Sequence, residues 1–90
     1  MSQSLSKDFT IENEQGLHAR PAAMFVKLAS TFDSEIWVEK EEEQVNGESI
    51  MGLMMLAAGP GSTISVTAEG EDGDKALDAI GQLITSGFSD

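Results

Sequence analysis

Apolar residues recur along this chain with two different periods, and the changes from one to the other divide it into seven elements. From Leu5 to Ile11, the residues Leu5, Phe9 and Ile11 share one parity, which predicts an edge or half-buried strand. Gln15-Gly16 breaks that pattern. From Ala19 to Phe32, Ala22, Val26, Ala29 and Phe32 recur at helical spacing with Ala23, Phe25 and Leu28 beside them, and Asp33-Ser34 closes the helix. Ile36, Trp37 and Val38, between Glu35 and Glu39, have the β-branched and aromatic content of a strand. A short segment around Gln44-Val45 runs into the turn signal Asn46-Gly47. Ser49 to Ala57 predicts a second, short helix with Gly52 inside it. After Gly59-Pro60-Gly61, Thr63 to Ala68 alternates Ile64, Val66 and Ala68 with hydroxyl side chains, the cleanest strand of the chain. The polar turn Gly70 to Asp74 leads into a third helix with Ala76, Leu77, Ile80, Leu83, Ile84 and Phe88 on its apolar face.

The predicted order is therefore β-α-β-β-α-β-α. Four such strands make one sheet with the helices on one side, an α+β two-layer fold. Ninety residues, 40% of them hydrophobic, suffice for one small domain over residues 1–90. Residues 1–5 read as a loose N-terminus.

Composition narrows the chemistry. With no cysteine, disulfide scaffolds, thiol catalysis and most structural zinc sites drop out, and a reducing cytoplasm is the expected setting. Met1 to Lys7 lacks the apolar stretch of a secretory signal. No apolar run approaches the roughly 20 residues that span a bilayer. The chain carries 16 acidic residues against 5 basic ones, a formal charge of -11, so nucleic acid and anionic lipid are not its partners. The carboxylates near Glu41 and Asp72 lack the spacing of a calcium loop, and no metal site is expected. The only histidine, His18, lies two residues from the only arginine, Arg20. In so acidic a chain that pairing directs attention to an anion site.

The segment Gly16-Leu17-His18-Ala19-Arg20-Pro21-Ala22 carries the chemistry. Pro21 in a first helical turn sets the helix start near His18, because its missing N–H costs nothing there. The first N–H groups, those of Ala19 and Arg20, then face outward with the positive end of the helix dipole, a cradle for an anion beside the imidazole. Imidazole is the side chain that is substantially neutral near physiological pH and nucleophilic toward phosphorus. The planar fork of Arg20 suits two phosphoryl oxygens at once. Gly16 allows a tight turn and keeps bulk away from an incoming donor. Read from the residues alone, His18 is either such a nucleophile or an exposed residue beside a helix cap.

This segment resembles the active-centre motif of HPr, the histidine-containing phosphocarrier family of the bacterial phosphoenolpyruvate-dependent phosphotransferase system. A second segment, Val45 to Gly59, resembles the family's regulatory region, and together with element order and length the likeness runs from about Lys7 to Phe88. The resemblance implies a four-stranded antiparallel sheet with three helices on one face. It implies phosphorylation of His18 on Nδ1 by enzyme I and onward transfer to IIA acceptor domains. Arg20 would assist transfer, with the Ala19 and Arg20 N–H groups as phosphate ligands. Such a protein is a shuttle rather than an enzyme, needs no cofactor, and is expected as a monomer because its active face must stay open.

Ser49 precedes an apolar helical run and so reads as an N-cap. The resemblance adds a regulatory phosphorylation of this serine by HPr kinase/phosphorylase, and with it a transcriptional regulator as a further partner. Ile50, Met51, Leu53, Met54, Met55 and Leu56 are too many apolar residues for one face of a short helix, so some must be exposed. The family pattern makes Ile50, Met51 and Met54 a docking patch, extended along the first helix by Ala23, Met24 and Lys27, and methionine suits a surface that serves several partners.

Overall fold

The computed structural model describes residues 4–88. Its elements are β1 (Ser4–Thr10), α1 (Ala19–Ala29), β2 (Glu35–Lys40), β3 (Glu43–Asn46), α2 (Ile50–Met55), β4 (Thr63–Glu69) and α3 (Gly73–Thr85). The strands form one antiparallel sheet in the order β1-β4-β2-β3. The expected α+β architecture, with its βαββαβα order, is the one observed.

Strand alternation decides where the helices lie. Phe9 pairs with Ile64 across β1 and β4, and Val38 with Val66 and Ile36 with Ala68 across β2 and β4. All six side chains stand on the same face and are buried. Onto that face α1 lays Ala22, Phe25 and Ala29, α2 lays Leu53, and α3 lays Ala76, Ile80 and Ile84. Each fully buried Phe, Leu or Ile contributes on the order of 1.5–3 kcal/mol through area removed from water. The opposite face is polar, with Ser65, Thr67 and Glu39 on it, and Trp37 Nε1 donates to Glu69 Oε1 at 3.2 Å there.

Several boundaries differ from the periodic reading. Ser4 and Leu5, expected in a loose terminus, pair with Glu69 and Ala68 as the start of β1; residues 1–3 lie outside the described residues. Helix α1 stops at Ala29 rather than Phe32. Ser30 N–H still donates to Val26 O at 2.9 Å, but the N–H groups of Thr31 and Phe32 turn to the carbonyls three residues back, Leu28 and Ala29, at 3.0 and 3.2 Å, and the hydroxyls of Ser30 and Thr31 add bonds to Val26 O and Leu28 O at 2.8 and 2.7 Å. Helix α2 is shorter than Ser49–Ala57, because Ala57 turns into the left-handed region at φ 52°. Phe88 is buried but lies beyond α3. Gly87, at φ 72°, ends that helix, with the N–H groups of Gly87 and Phe88 donating back to the carbonyls of Ile84 and Leu83.

Candidate phosphoryl-acceptor site

His18 is the N-cap of α1, in extended conformation (φ -84°, ψ -172°), and its side chain makes no capping hydrogen bond. The ring is exposed. The helical ladder begins with Ala22 N–H donating to His18 O at 2.8 Å. Pro21 has no N–H to place, so the N–H groups of Ala19 and Arg20 lie ahead of the ladder at the positive end of the helix. Ala19 and Arg20 are both exposed.

The approach to His18 is fixed by a close meeting of two distant segments. Gly16 adopts φ 64°, and a Cβ there would run into the carbonyl oxygen of Ala58 and lie 2.7 Å from Gly59 Cα. Leu17 N–H donates to Ala58 O at 2.9 Å. Asn13 braces the same turn, its Nδ2 donating to Gly16 O at 2.8 Å and its carbonyl accepting from Gly16 N–H at 3.1 Å. The turn expected at Gly16 is present, and the side chain missing there makes room for the Ala58–Gly59 backbone.

His18 opens onto a shallow hollow of about 290 Å³ lined by Gln15, Leu17, Met54, Ala57, Ala58 and Gly59. Arg20 borders a neighbouring hollow with Asn13, Met24 and Phe88, and Gln15 is common to both. Both are open surface depressions, unable to enclose a substrate. A phosphoryl group on His18 would stay accessible to a second protein surface, and exclusion of water from the reaction falls to that surface. Among the described residues no cluster of potential metal ligands occurs, and no helix is long and apolar enough to cross a membrane.

Ser49 caps α2 as its spacing suggested, its Oγ accepting from Gly52 N–H at 3.0 Å. Next to it, Glu48 N–H donates to Asn46 Oδ1 at 2.8 Å, and the Glu48 carboxylate accepts from Ser30 Oγ at 3.3 Å, tying this loop to the end of α1. Leu53 and Leu56 are buried, whereas Ile50, Met51, Met54 and Met55 stay exposed, Met51 at 74%. Of the expected docking residues, Met54 shares the hollow of His18. Ala23 and Lys27 are exposed on α1. Met24 does not join that hollow; it lines one hollow with Leu83 of α3 and another with Phe88. Asn13 has no part in the sequence reading, and Gln15 and Ala57–Gly59 enter it as a pattern break, a helix end and a turn, not as neighbours of His18.

An open-faced α+β sandwich with an uncapped histidine at a helix start is the architecture of a histidine phosphocarrier. The family described as the PTS HPr component phosphorylation site matches residues 5–86. The chain is 45% identical over 86 residues to the phosphocarrier protein HPr of Neisseria meningitidis serogroup A, covering 96% of this chain and 97% of that one. The crystal structure of HPr from Thermoanaerobacter tengcongensis superposes with a TM-score of 0.91 at 46% identity, covering 96% and 97% of the two chains. An HPr dimer from the same bacterium matches with a TM-score of 0.77 at 49% identity, covering 91% and 94%. The chain belongs to the HPr family, the phosphocarriers of the phosphotransferase system.

Proposed function

We propose that this chain accepts a phosphoryl group on His18 Nδ1 from phosphorylated enzyme I, itself charged by phosphoenolpyruvate, and passes it to IIA acceptor domains. In each transfer a P–N bond forms at the receiving group as the bond from phosphorus to the donor breaks, and the donor keeps the bonding electrons. The observation that carries this reading is the exposed imidazole of His18 at the N-cap of α1, with no capping bond to hold it. Arg20 and the N–H groups of Ala19 and Arg20 meet the phosphoryl oxygens, where the helix dipole favours negative charge. The chain supplies no enclosed pocket, so the rest of the catalytic machinery belongs to its partners, and the carrier itself is no enzyme.

Docking in this reading uses Ile50, Met51 and Met54, with Ala23, Met24 and Lys27 continuing along α1. Ser49 is the regulatory position, modified by HPr kinase/phosphorylase; a phosphate there sets negative charge beside the docking surface and so acts on partners, a transcriptional regulator among them. The carrier works in the cytoplasm as a monomer, without cofactor or metal and without binding nucleic acid or membrane.

The test is intact-mass analysis after mixing the protein with enzyme I, phosphoenolpyruvate and magnesium. An acid-labile phosphoryl adduct in the wild type, lost in His18→Ala, is the expected result. No adduct with a demonstrably active enzyme I overturns the reading. Incubation with HPr kinase and ATP should add one phosphate to wild type and none to Ser49→Ala; no mass gain on the wild type removes the regulatory role.

A further inference from the structure

The strand register puts Asp8 of β1, Glu69 of β4 and Glu35, Trp37 and Glu39 of β2 on the face of the sheet turned away from the helices. Four carboxylates therefore stand on that face. None of the 5 basic residues joins them: Lys7 and Lys40 pair with Val66 and Glu43 on the helix side, and Arg20, Lys27 and Lys75 belong to α1 and α3. Glu35 and Glu69 are direct cross-strand partners, and like charges so placed oppose sheet formation. A surface that only meets water does best with both signs interspersed. Here the sequence keeps a repelling pair beside a half-buried tryptophan, whose Nε1 donates to Glu69 Oε1 at 3.2 Å. Local rules are broken in this way chiefly where another molecule supplies the compensation.

We propose that this open sheet face is an additional docking surface, and that its occupant is a basic protein segment that lays an arginine over Trp37. Guanidinium is the group that fits, because it stacks on an indole face while its fork pairs with carboxylates. Glu35 and Glu39 flank Trp37 along β2 at about 7 Å on either side, and Asp8 lies two strands from Glu39, about 10 Å across the sheet. Carboxylates spread this far over a flat face match a protein surface carrying several cations rather than one small polyamine. A second copy of this chain is not the occupant, since four carboxylates would meet four in a chain of formal charge -11. A cation set between Glu35 and Glu69 replaces one repulsion by two attractions, so binding relieves what the free sheet bears. His18 begins α1 in the other layer, so this surface is separate from the phosphoryl-acceptor site and stands independently of the carrier reading.

Trp37 is the chain's only tryptophan, so its fluorescence reports occupation of the face directly. The probe is a capped five-residue peptide alternating arginine and alanine, whose arginines, when extended, repeat at the spacing of Glu35, Trp37 and Glu39. Titration should change the emission saturably, and added salt should weaken the binding. Glu35→Gln with Glu39→Gln should raise Kd about tenfold, whereas Asp74→Asn with Asp78→Asn, at two exposed positions of α3, should stay within about twofold of wild type. The two pairs remove the same charge, so an equal change in both overturns a localised site. No change in Trp37 emission on the wild type overturns the docking face altogether. Spermidine binding as tightly as the peptide gives the face to a small polyamine and refutes the protein segment. Glu35→Gln alone should raise Tm by about 2–4 °C near neutral pH; an unchanged or lower Tm refutes the repulsion between Glu35 and Glu69, and with it the reason for a cation there.

Discussion

Replacing Gly16 with alanine tests whether the Ala58–Gly59 backbone holds His18 in place. Two costs add. An L-residue at φ 64° sits in the left-handed region, at roughly 1–2 kcal/mol. The new Cβ would also run into Ala58 O and stand 2.7 Å from Gly59 Cα, so the two segments must part. Parting them breaks the 2.9 Å bond from Leu17 N–H to Ala58 O, worth about 1 kcal/mol. The expected loss is about 2–3 kcal/mol. Gly61→Ala is the matched control, because Gly61 has φ 85° but open space where its Cβ would go. It should cost the conformational share alone.

Denaturant unfolding of both variants measures the difference, and enzyme I-dependent phosphorylation measures its consequence at the site. Gly16→Ala should fall about 1 kcal/mol below Gly61→Ala in stability. It should also accept phosphate about tenfold more slowly, since small displacements of a reacting group carry rate penalties of this order or more. Gly61→Ala should keep the wild-type rate. If the two variants are equally stable, or if Gly16→Ala is phosphorylated normally, the contact does not position His18 and the account of this turn is wrong.

Other parts of the molecule yield sharp expectations. The Asp72 carboxylate accepts from the N–H groups of Asp33 and Ser34 at 2.8 and 2.9 Å and from the Ser34 hydroxyl, and the Ser34 hydroxyl first, then the Asp33 N–H, hold it below its usual value of 3.8. A depressed carboxylate stabilises the fold above its unfolded pKa and loses that contribution as pH falls through the folded value. Asp72→Asn should therefore be less stable than wild type at pH 7, and chemical unfolding curves should show the gap closing below the usual value of 3.8. The two-residue loop between β2 and β3 places Glu41 and Glu42 at φ 50° and 71°, a turn that favours Asn-Gly. The double substitution Glu41→Asn with Glu42→Gly should add about 1 kcal/mol, seen as a rise of about 4–8 °C in Tm, with phosphorylation of His18 unchanged. Because Lys27 is the one lysine of α1 and Glu48 flanks Ser49, little positive charge surrounds His18, and transfer from enzyme I should depend weakly on added salt; a steep fall in rate with ionic strength would contradict this.

How much of this was legible in the sequence depended on how locally each feature is determined. The alternation of Ile64, Val66 and Ala68 reports strand and face together, because side-chain direction reverses at every residue. The start of α1 was equally readable, since Pro21 and the caps act within one turn of His18. The turn joining β2 and β3 was not, although both strands were, because Glu41-Glu42 carries none of the residues that tolerate positive φ, and the pairing of Val38 with Val45 forces the turn on them. Phe32 kept the helical spacing, but its N–H and that of Thr31 bond carbonyls three residues back, a tightened last turn that the Ser30 and Thr31 hydroxyls support with bonds of their own to Val26 and Leu28.

The candidate site divides along the same line. His18, Ala19 and Arg20 owe their arrangement to a helix start, and the sequence spells out a helix start. The hollows beside them are built from Asn13, Gln15 and Ala57–Gly59, which meet only when the loop after β1 and the loop after α2 are brought together. Met24 shows why periodicity alone stops short of a docking surface. Helical spacing gives the angle of Met24 from the buried stripe of Ala22, Phe25 and Ala29, so it predicts a residue at the margin of the core. Whether that margin borders α2 or α3 depends on which side of α1 each helix occupies, and that is set by the strand order β1-β4-β2-β3. With α3 packed over β1 and β4 and α2 beside β3, Met24 shares a hollow with Leu83. The residues expected in one patch are thereby divided, Met24 lining a hollow with Leu83 of α3 and Met54 the hollow of His18.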